Sequence, residues 1–162
     1  MLAEEKSLPM DLVGSLNHWG SRKGMIVAAF LTGEGGAPGI YEYGELLRLC
    51  VRLRFPSGLD TARLSVAFSL KDLRGSDLMV CASDNEHPGI FAGQEGESEV
   101  TFAFPLRLTP GKYMVVLAVE DRSGPTIQYY EYIEGAMFFS TTSNSLRYGI
   151  FNLPVDIGVS RT

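Results

Sequence analysis

Hydrophobic and polar residues alternate with a period of two over several stretches of the chain. The clearest stretches are residues 45–55, 62–72 and 111–121. Successive side chains of a β-strand point to opposite faces, so this period predicts strands with one buried face. The predicted inward residues are Leu47, Leu49, Val51 and Leu53 in the first stretch, Leu64, Val66, Phe68 and Leu70 in the second, and Tyr113, Val115, Leu117 and Val119 in the third.

Four further stretches have strand character. Residues 98–108 are predicted to bury Val100, Phe102 and Phe104, residues 128–133 form another strand, and residues 23–32 and 148–157 are the predicted first and last strands. Turn clusters rich in glycine and proline separate these stretches, and no long helical pattern occurs. We therefore predict an all-β fold, an immunoglobulin-like antiparallel β-sandwich with a jelly-roll-like Greek key.

The motif LTPGKY at residues 108–113 favours the same fold. Tyr113 follows a Pro-Gly turn at the start of a strong strand, which is the setting of a tyrosine corner. A simple turn followed by a core tyrosine is the alternative, and both are compatible with a sandwich. Residues 1–17 differ, since they mix charge with scattered apolar residues around a proline. We predict a linker or a short peripheral helix there, and one β-sandwich domain over residues 18–162.

Composition narrows the classes of function. The 162 residues fit one domain, and the net charge of −5 disfavours nucleic acid as a partner. No apolar run reaches the roughly 18 residues of a membrane helix. Cys50 and Cys81 are too few for a disulfide framework, so we expect free, buried thiols of a cytosolic protein, with one disulfide as the alternative.

Signals for catalysis are weak. The serine elbow G-x-S-x-G is absent, and the Gly-Lys pair at residues 111–112 lacks the other residues of a phosphate loop. His18 lies beside the only tryptophan, where a structural role is favoured. The loop at residues 82–98 carries Asp84, Asn85, Glu86 and His87 in succession, but adjacent side chains rarely converge on one ion. We predict a non-enzymatic protein without a metal or cofactor.

The segment QYYEYIEGAMFF at residues 128–139 holds more aromatic residues than one strand face can bury. Alternation puts Tyr130 and Tyr132 on one face and Tyr129 and Glu131 on the other. At least one tyrosine should therefore be exposed, and an exposed ring is suited to stacking on a sugar. The predicted carbohydrate site is the outward face of strands 62–72, 111–121 and 128–133, with loop 82–98 at its rim. Its predicted residues are Ser65, Ser69, Asp84, His87, Met114, Val116, Tyr129, Glu131 and Tyr132.

A second hypothesis comes from the same face. Met114 and Val116 are apolar, and an exposed apolar patch marks a partner site as readily as a ligand site. The chain would then be a protein-interaction module that docks a partner through an exposed sheet.

A series of motifs in order along the chain resembles a known family. They are HWGSRKGMIVAAF (18–30), YEYGELLRLCVRLRF (41–55), LSVAFSLKDLRGSDLM (64–79), LTPGKYMVVLAV (108–119), YEYIEGAMFF (130–139) and YGIFNLPVDI (148–157). Together they resemble the C-terminal carbohydrate-binding domain of the ATPase subunit of O-antigen polysaccharide ABC transporters, the Wzt type. The family often has a Gly-Thr-Asn-Thr-like stretch where this chain has CASD at residues 81–84.

The resemblance carries expectations about function and about the tyrosines. It implies an immunoglobulin-like sandwich that recognises O-antigen polysaccharide and works with a nucleotide-binding domain and a permease. It also implies a cytoplasmic location, peripheral at the inner membrane. Tyr130 falls at an aliphatic position of the family and Tyr132 at an aromatic one, which leaves Tyr129 and Tyr132 for the surface. Alternation allows this only if a bulge lies near Glu131.

The C-terminal stretch predicts an assembly. The strand-like run at residues 148–157 contains Pro154 and follows a polar hinge at residues 140–147. Proline confines such a strand to a sheet edge, and an edge strand on a hinge can pair with a neighbouring copy. We predict a homodimer in which residues near 148–157 cross between subunits. A monomer whose last strand closes its own sheet is the alternative.

Overall fold

The computed structural model describes residues 6–161 of the chain. The strands are β1 (Leu8–Pro9), β2 (Asn17–Trp19), β3 (Ile26–Thr32), β4 (Ile40–Glu42), β5 (Leu46–Phe55), β6 (Leu64–Asp72), β7 (Asp77–Ala82), β8 (Gly96–Pro105), β9 (Gly111–Asp121) and β10 (Gln128–Thr142), and α1 (Ser83–Glu86) is a single helical turn. In this part of the chain, no helix has the length and apolar character needed to span a membrane.

The strands form two sheets that face each other across one core. Sheet A has the order β1-β3-β5-β8, and sheet B has the order β2-β10-β9-β6-β7. Neighbouring strands are antiparallel, except that β4 pairs in parallel with β10. The predicted all-β sandwich is confirmed.

The inward faces of the long strands match the predicted alternation. All the predicted inward residues of β5, β6 and β9 are buried in the main core. The opposite face of β6 is also buried: every residue from Leu64 to Lys71 has little exposure. In β8, Phe104 is buried but Val100 and Phe102 are only half-buried, since β8 is an edge strand of sheet A.

The predicted tyrosine corner is confirmed. The Tyr113 hydroxyl donates a hydrogen bond to the carbonyl oxygen of Thr109, four residues upstream, and the ring is buried. This bond fixes the turn that leads into β9.

The C-terminal prediction was wrong in one respect. Residues 148–157 form no strand, and Phe151 makes only an isolated antiparallel bridge with Leu108. Pro154 has no N–H group with which to continue the ladder. The last long strand is instead β10, which extends to Thr142 rather than ending near residue 133.

Two regions are more ordered than the sequence indicated. The predicted loop over residues 82–98 contains α1 and the first residues of β8, and it follows a strand that the sequence analysis missed, β7. The N-terminal segment contains no helix between residues 6 and 17; β1 pairs with β3, and β2 begins at Asn17. Cys50 and Cys81 are free, as expected, but half-buried rather than buried, and they lie in different sheets.

Candidate functional site

A β-bulge in β10 decides which tyrosines face outward. Tyr129 lies opposite Glu120 of β9, whereas Glu131 lies opposite Val119, so one extra residue is inserted at Tyr130. The insertion reverses the faces, and Tyr129 and Tyr132 both lie on the outer face of sheet B while Tyr130 packs against the core. A bulge is thus present near Glu131, which was the condition for alternation and the family resemblance to agree.

One row of residues crosses sheet B and combines small with aromatic side chains. From β7 to β2, each residue lies opposite the next, and the row consists of Ala82, Ala67, Ala118, Tyr132 and Trp19. Three methyl groups leave a hollow, and the two rings form a wall beside it.

The wall contains three rings in mutual contact. Trp19 stacks on Tyr132 with ring centroids 5.0 Å apart and an angle of 26° between the planes. Tyr129 meets Tyr132 edge-to-face at 5.4 Å and Trp19 at 5.1 Å. Trp19 is 40% exposed, so the cluster packs its rings together and still presents an aromatic edge to solvent.

A close backbone approach holds β2 against the bulge. Gly20 follows Trp19 at a φ of +143°, and a Cβ atom there would lie 2.2 Å from the carbonyl oxygen of Tyr130. Only glycine can bring Trp19 this close to β10.

We call the hollow the tyrosine groove. It has a volume of about 90 Å³ and is lined by Ala67, Phe68, Ser69, Asp77, Val80, Val116, Ala118, Glu120, Arg122, Tyr129 and Tyr132. Pockets that enclose a small molecule usually measure about 300–1,000 Å³. A ligand of sugar size would therefore lie on the groove and contact it with one face.

Charged side chains lie in the groove and beside its aromatic wall. Glu120 is buried and accepts a hydrogen bond from the Arg122 guanidinium. Burial raises the pKa of the Glu120 carboxyl, and the Arg122 guanidinium offsets that rise only in part. On the other side of Tyr132, the Lys71 ammonium donates to the Tyr132 hydroxyl at 3.3 Å and to Glu134 at 3.5 Å. These contacts hold the Tyr132 ring in place.

The groove brings together four of the nine predicted site residues. Ser69, Val116, Tyr129 and Tyr132 line it. Val116 is only 2% exposed, so it contributes a small patch of the floor.

Ser65 and Met114 are not accessible to a ligand, which corrects the prediction for both. Ser65 is fully buried, and its hydroxyl lies 3.5 Å from the Ser83 hydroxyl and accepts the backbone N–H of Asp84 at 3.2 Å. The bond ties α1 to β6. Met114 is 1% exposed. Sequence alternation places both on the outer face, but that face is covered at these two positions.

Glu131 has a structural position rather than one in the groove, which corrects a third prediction. Its carboxylate is buried and accepts the backbone N–H groups of Gly24 at 2.5 Å and Ile26 at 2.7 Å. The His18 Nε2 atom lies 3.0 Å from the same carboxylate. Glu131 thus joins β10 to the segments around β2 and β3, and the structural role predicted for His18 agrees with this contact.

Asp84 and His87 lie outside the groove. Asp84 is half-buried in α1, and His87 is exposed and lines a different, apolar cavity between β7 and β8. Among residues 6–161, no group of three or more acidic, histidine or cysteine side chains is arranged to hold a metal ion.

Several residues of the groove and its aromatic wall were not predicted as site residues. In the wall, Trp19 was singled out only as the neighbour of His18; in the lining, Asp77, Ala118, Glu120 and Arg122 were not assigned to the site. The combination of the only tryptophan with a following glycine was the available signal for Trp19.

Comparison with known proteins identifies the family. The Wzt C-terminal domain family matches residues 15–153, which is most of the chain. The chain belongs to this family. Membership of this family supports a role in an O-antigen ABC transporter.

A solved structure agrees with the fold. The crystal structure of the C-terminal domain of Wzt superposes with a TM-score of 0.77 and 15% sequence identity, over 89% of this chain and 88% of that one. At this identity the match supports the fold alone. No curated protein sequence matches the chain significantly.

Proposed function

We propose that this domain binds O-antigen polysaccharide without catalysis, and so recognises the cargo of an ABC transporter. The groove residues would contact the glycan, while a nucleotide-binding domain and a permease would power and conduct export. The domain would work at the cytoplasmic face of the inner membrane. Family membership supports the transporter context, and the tyrosine groove supports the glycan as ligand.

The observation that carries the proposal is the row of alanines beside stacked rings. A pyranose has an apolar face of C–H groups, which needs a flat aromatic or methyl surface, and hydroxyl groups, which need polar partners. Ala67 and Ala118 supply the methyl floor, and Tyr129 and Tyr132 supply the rings. Ser69, Asp77 and Arg122 line the same groove and offer hydrogen bonds to hydroxyl groups, while the buried Glu120 carboxylate holds Arg122.

The small volume of the groove bears on affinity. Contact with one face of a sugar buries little apolar area, and polar groups must be desolvated on both sides. We therefore expect weak to moderate affinity for one repeat. Several repeats along one polymer, or several domains in one transporter, would raise it by avidity.

A protein-interaction module remains the alternative function, but its predicted contact needs revision. Met114 and Val116 are buried, so neither can form the centre of a docking surface. The exposed apolar residues of the described chain are concentrated instead in the C-terminal segment, where Leu146, Leu153, Val155, Ile157 and Val159 are each at least 70% exposed.

The proposal is tested by titrating the domain with the O-polysaccharide that the proposed transporter would export and with an unrelated glycan. We expect saturable heat and NMR shifts at Tyr129 and Tyr132 with the first polymer alone. Equal binding of both glycans, or shifts elsewhere, would refute the assignment. A prolonged incubation should release no reducing ends, since the proposed role is not catalytic.

We also propose that the domain forms a homodimer through its C-terminal segment. Extending the antiparallel register of the Leu108–Phe151 bridge pairs inward residues of β8, and Leu106 just after it, with apolar residues of this segment. Leu153, Val155, Ile157 and Val159 would lie opposite Leu106, Phe104, Phe102 and Val100. Pro154 would lie opposite Pro105 at a hydrogen-bonding position, so the ladder would be interrupted there and the pairing would rest on the apolar side chains on either side.

This pairing would occur at the β8 edge of sheet A, beyond which the described residues form no further strand. Two apolar cavities of about 330 and 460 Å³ lie between β7 and β8 and share Met79 and Phe104. The segment leaves its own β8 after Asn152 and exposes its apolar residues. The C-terminal segment of one copy could pair with the unpaired β8 edge of a second copy. This favours exchange of the segment between subunits.

A further inference from the structure

Two arginines share one tyrosine ring at a site away from the tyrosine groove. The guanidinium carbon of Arg147 lies 4.1 Å from the centroid of the Tyr43 ring, and that of Arg107 lies 5.6 Å from it. Tyr43 follows β4, Arg107 follows β8, and Arg147 follows β10, so three chain segments meet here. None of the three residues lines the tyrosine groove.

The two guanidinium groups have no acidic partner among residues 6–161. Neither Arg107 nor Arg147 forms an ion pair there, and the buried Nε atom of Arg107 has no hydrogen-bond partner. A buried donor without a partner costs free energy, and two cations against one ring repel each other. An anion between them would relieve both costs.

The residues border an open cavity of about 770 Å³. Its lining includes Tyr43, Arg107, Arg147 and Asn152, with Asp156 as its one carboxylate. The cavity therefore has room for an anionic group, and the guanidinium forks and the tyrosine hydroxyl supply donors. The chain as a whole carries a net charge of −5, so this is a local cationic site on an acidic protein.

We infer that Tyr43, Arg107 and Arg147 form a binding site for a phosphate group. Two guanidinium groups match the two negative charges that a phosphate monoester carries near neutral pH, whereas a carboxylate carries one. Arginine also suits phosphate because its planar fork donates two parallel hydrogen bonds. The phosphate has two possible sources with the same chemistry, a soluble phosphate ester or a lipid headgroup.

The site is tested with inorganic phosphate and with vesicles, on the full chain at low salt. NMR titration with phosphate should give saturable shifts at Tyr43, Arg107 and Arg147. Arg147→Gln, at an exposed position that should not affect folding, should weaken binding by about tenfold or more, because a charge-assisted hydrogen bond to the phosphate is lost. Arg74→Gln removes an exposed arginine elsewhere and should leave the affinity unchanged.

Asp156→Asn gives a test of opposite sign. In the monomer, where residues 153–156 line the cavity, removing its one carboxylate should strengthen phosphate binding, since the repulsion of the bound anion disappears. Binding that fails to saturate, or that falls equally in Arg147→Gln and Arg74→Gln, would mean only general charge screening and would overturn the site. An unchanged affinity in Arg147→Gln would overturn it as well.

Vesicles identify the source of the phosphate. The lipid probe is phosphatidic acid, whose headgroup is a phosphate monoester. Vesicles of phosphatidic acid that bind the wild type more tightly than Arg147→Gln, with no binding of phosphatidylcholine vesicles, assign the site to a lipid headgroup. Saturable binding of phosphate without vesicle binding assigns it to a soluble ester. Binding of neither refutes the site. The tyrosine groove is not involved, so a failure here leaves the glycan proposal standing, and the reverse is also true.

Discussion

Trp19 and Tyr132 lie directly opposite each other on neighbouring strands, and their rings stack at 5.0 Å. The pair joins the N-terminal strand β2 to β10. It also sets the position of Tyr132, whose hydroxyl is held by Lys71. The aromatic wall of the groove therefore depends on a contact between residues far apart in the chain.

The first prediction concerns this wall. Tyr132→Ala should weaken glycan binding by about 1–3 kcal/mol, because a ring that stacks on the ligand is removed. Tyr132→Phe is the matched control, since it keeps the ring and loses only the contact with Lys71, and its affinity should stay close to the wild type. Calorimetric titration measures both. If Tyr132→Ala unfolds more easily but binds the glycan unchanged, the ring has only a packing role.

The second prediction concerns the buried carboxylate of Glu131. Glu131→Gln should lower the free energy of unfolding by about 2–3 kcal/mol, because an acceptor of two backbone N–H groups is replaced by an amide that presents a donor. Urea unfolding measures the loss. Glu99→Gln removes an exposed carboxylate and should change stability by less than about 0.5 kcal/mol. A Glu131 variant that keeps wild-type stability but loses glycan binding would place Glu131 in the site after all.

The third prediction concerns the pH dependence that Glu120 confers. Burial raises the pKa of its carboxyl above the usual range, despite the Arg122 guanidinium. Between the unfolded pKa, about 4.3, and the raised folded pKa, the folded chain holds more protons than the unfolded chain. The contribution of Glu120 to the free energy of unfolding is therefore fully present below about pH 4.3, and it is lost as the pH rises through the folded pKa.

Glu120→Gln tests this sign. The variant cannot titrate at this position, so its stability relative to the wild type should increase as the pH rises through the window and level off above it. Chemical unfolding at a series of pH values gives the difference. Parallel profiles of the two proteins would show that the Glu120 carboxyl titrates equally in the folded and unfolded chains.

The fourth prediction concerns assembly. Truncation before Ser145 should convert the proposed dimer to a monomer or an aggregate, because the segment that would fill the β7–β8 edge is removed. Val155→Asp together with Ile157→Asp should have the same effect without shortening the chain, since charges would enter an apolar cavity. Light scattering gives the mass of each protein. A full-length domain that scatters as a monomer at high concentration excludes the exchange.

The sequence by itself determined the class of fold and the faces of the central strands. In β5, β6 and β9 the period of two assigns every inward residue correctly, because one face of each strand packs on a single core. The Pro-Gly turn before Tyr113 predicted the tyrosine corner for a similarly local reason. The order of motifs also led to the right family.

Only the tertiary structure decided the composition of the groove. Alternation assumes an unbroken ladder, and the extra residue at Tyr130 shifts Tyr129 and Tyr132 onto one face. Ser65, Met114 and Glu131 have the polarity or position of site residues, yet each is buried, Ser65 against α1 and Glu131 against the segment at residues 18–26. Trp19 joins the site because Gly20 permits β2 to approach the bulge. Such contacts depend on how distant segments meet, which a pattern of neighbouring residues does not encode.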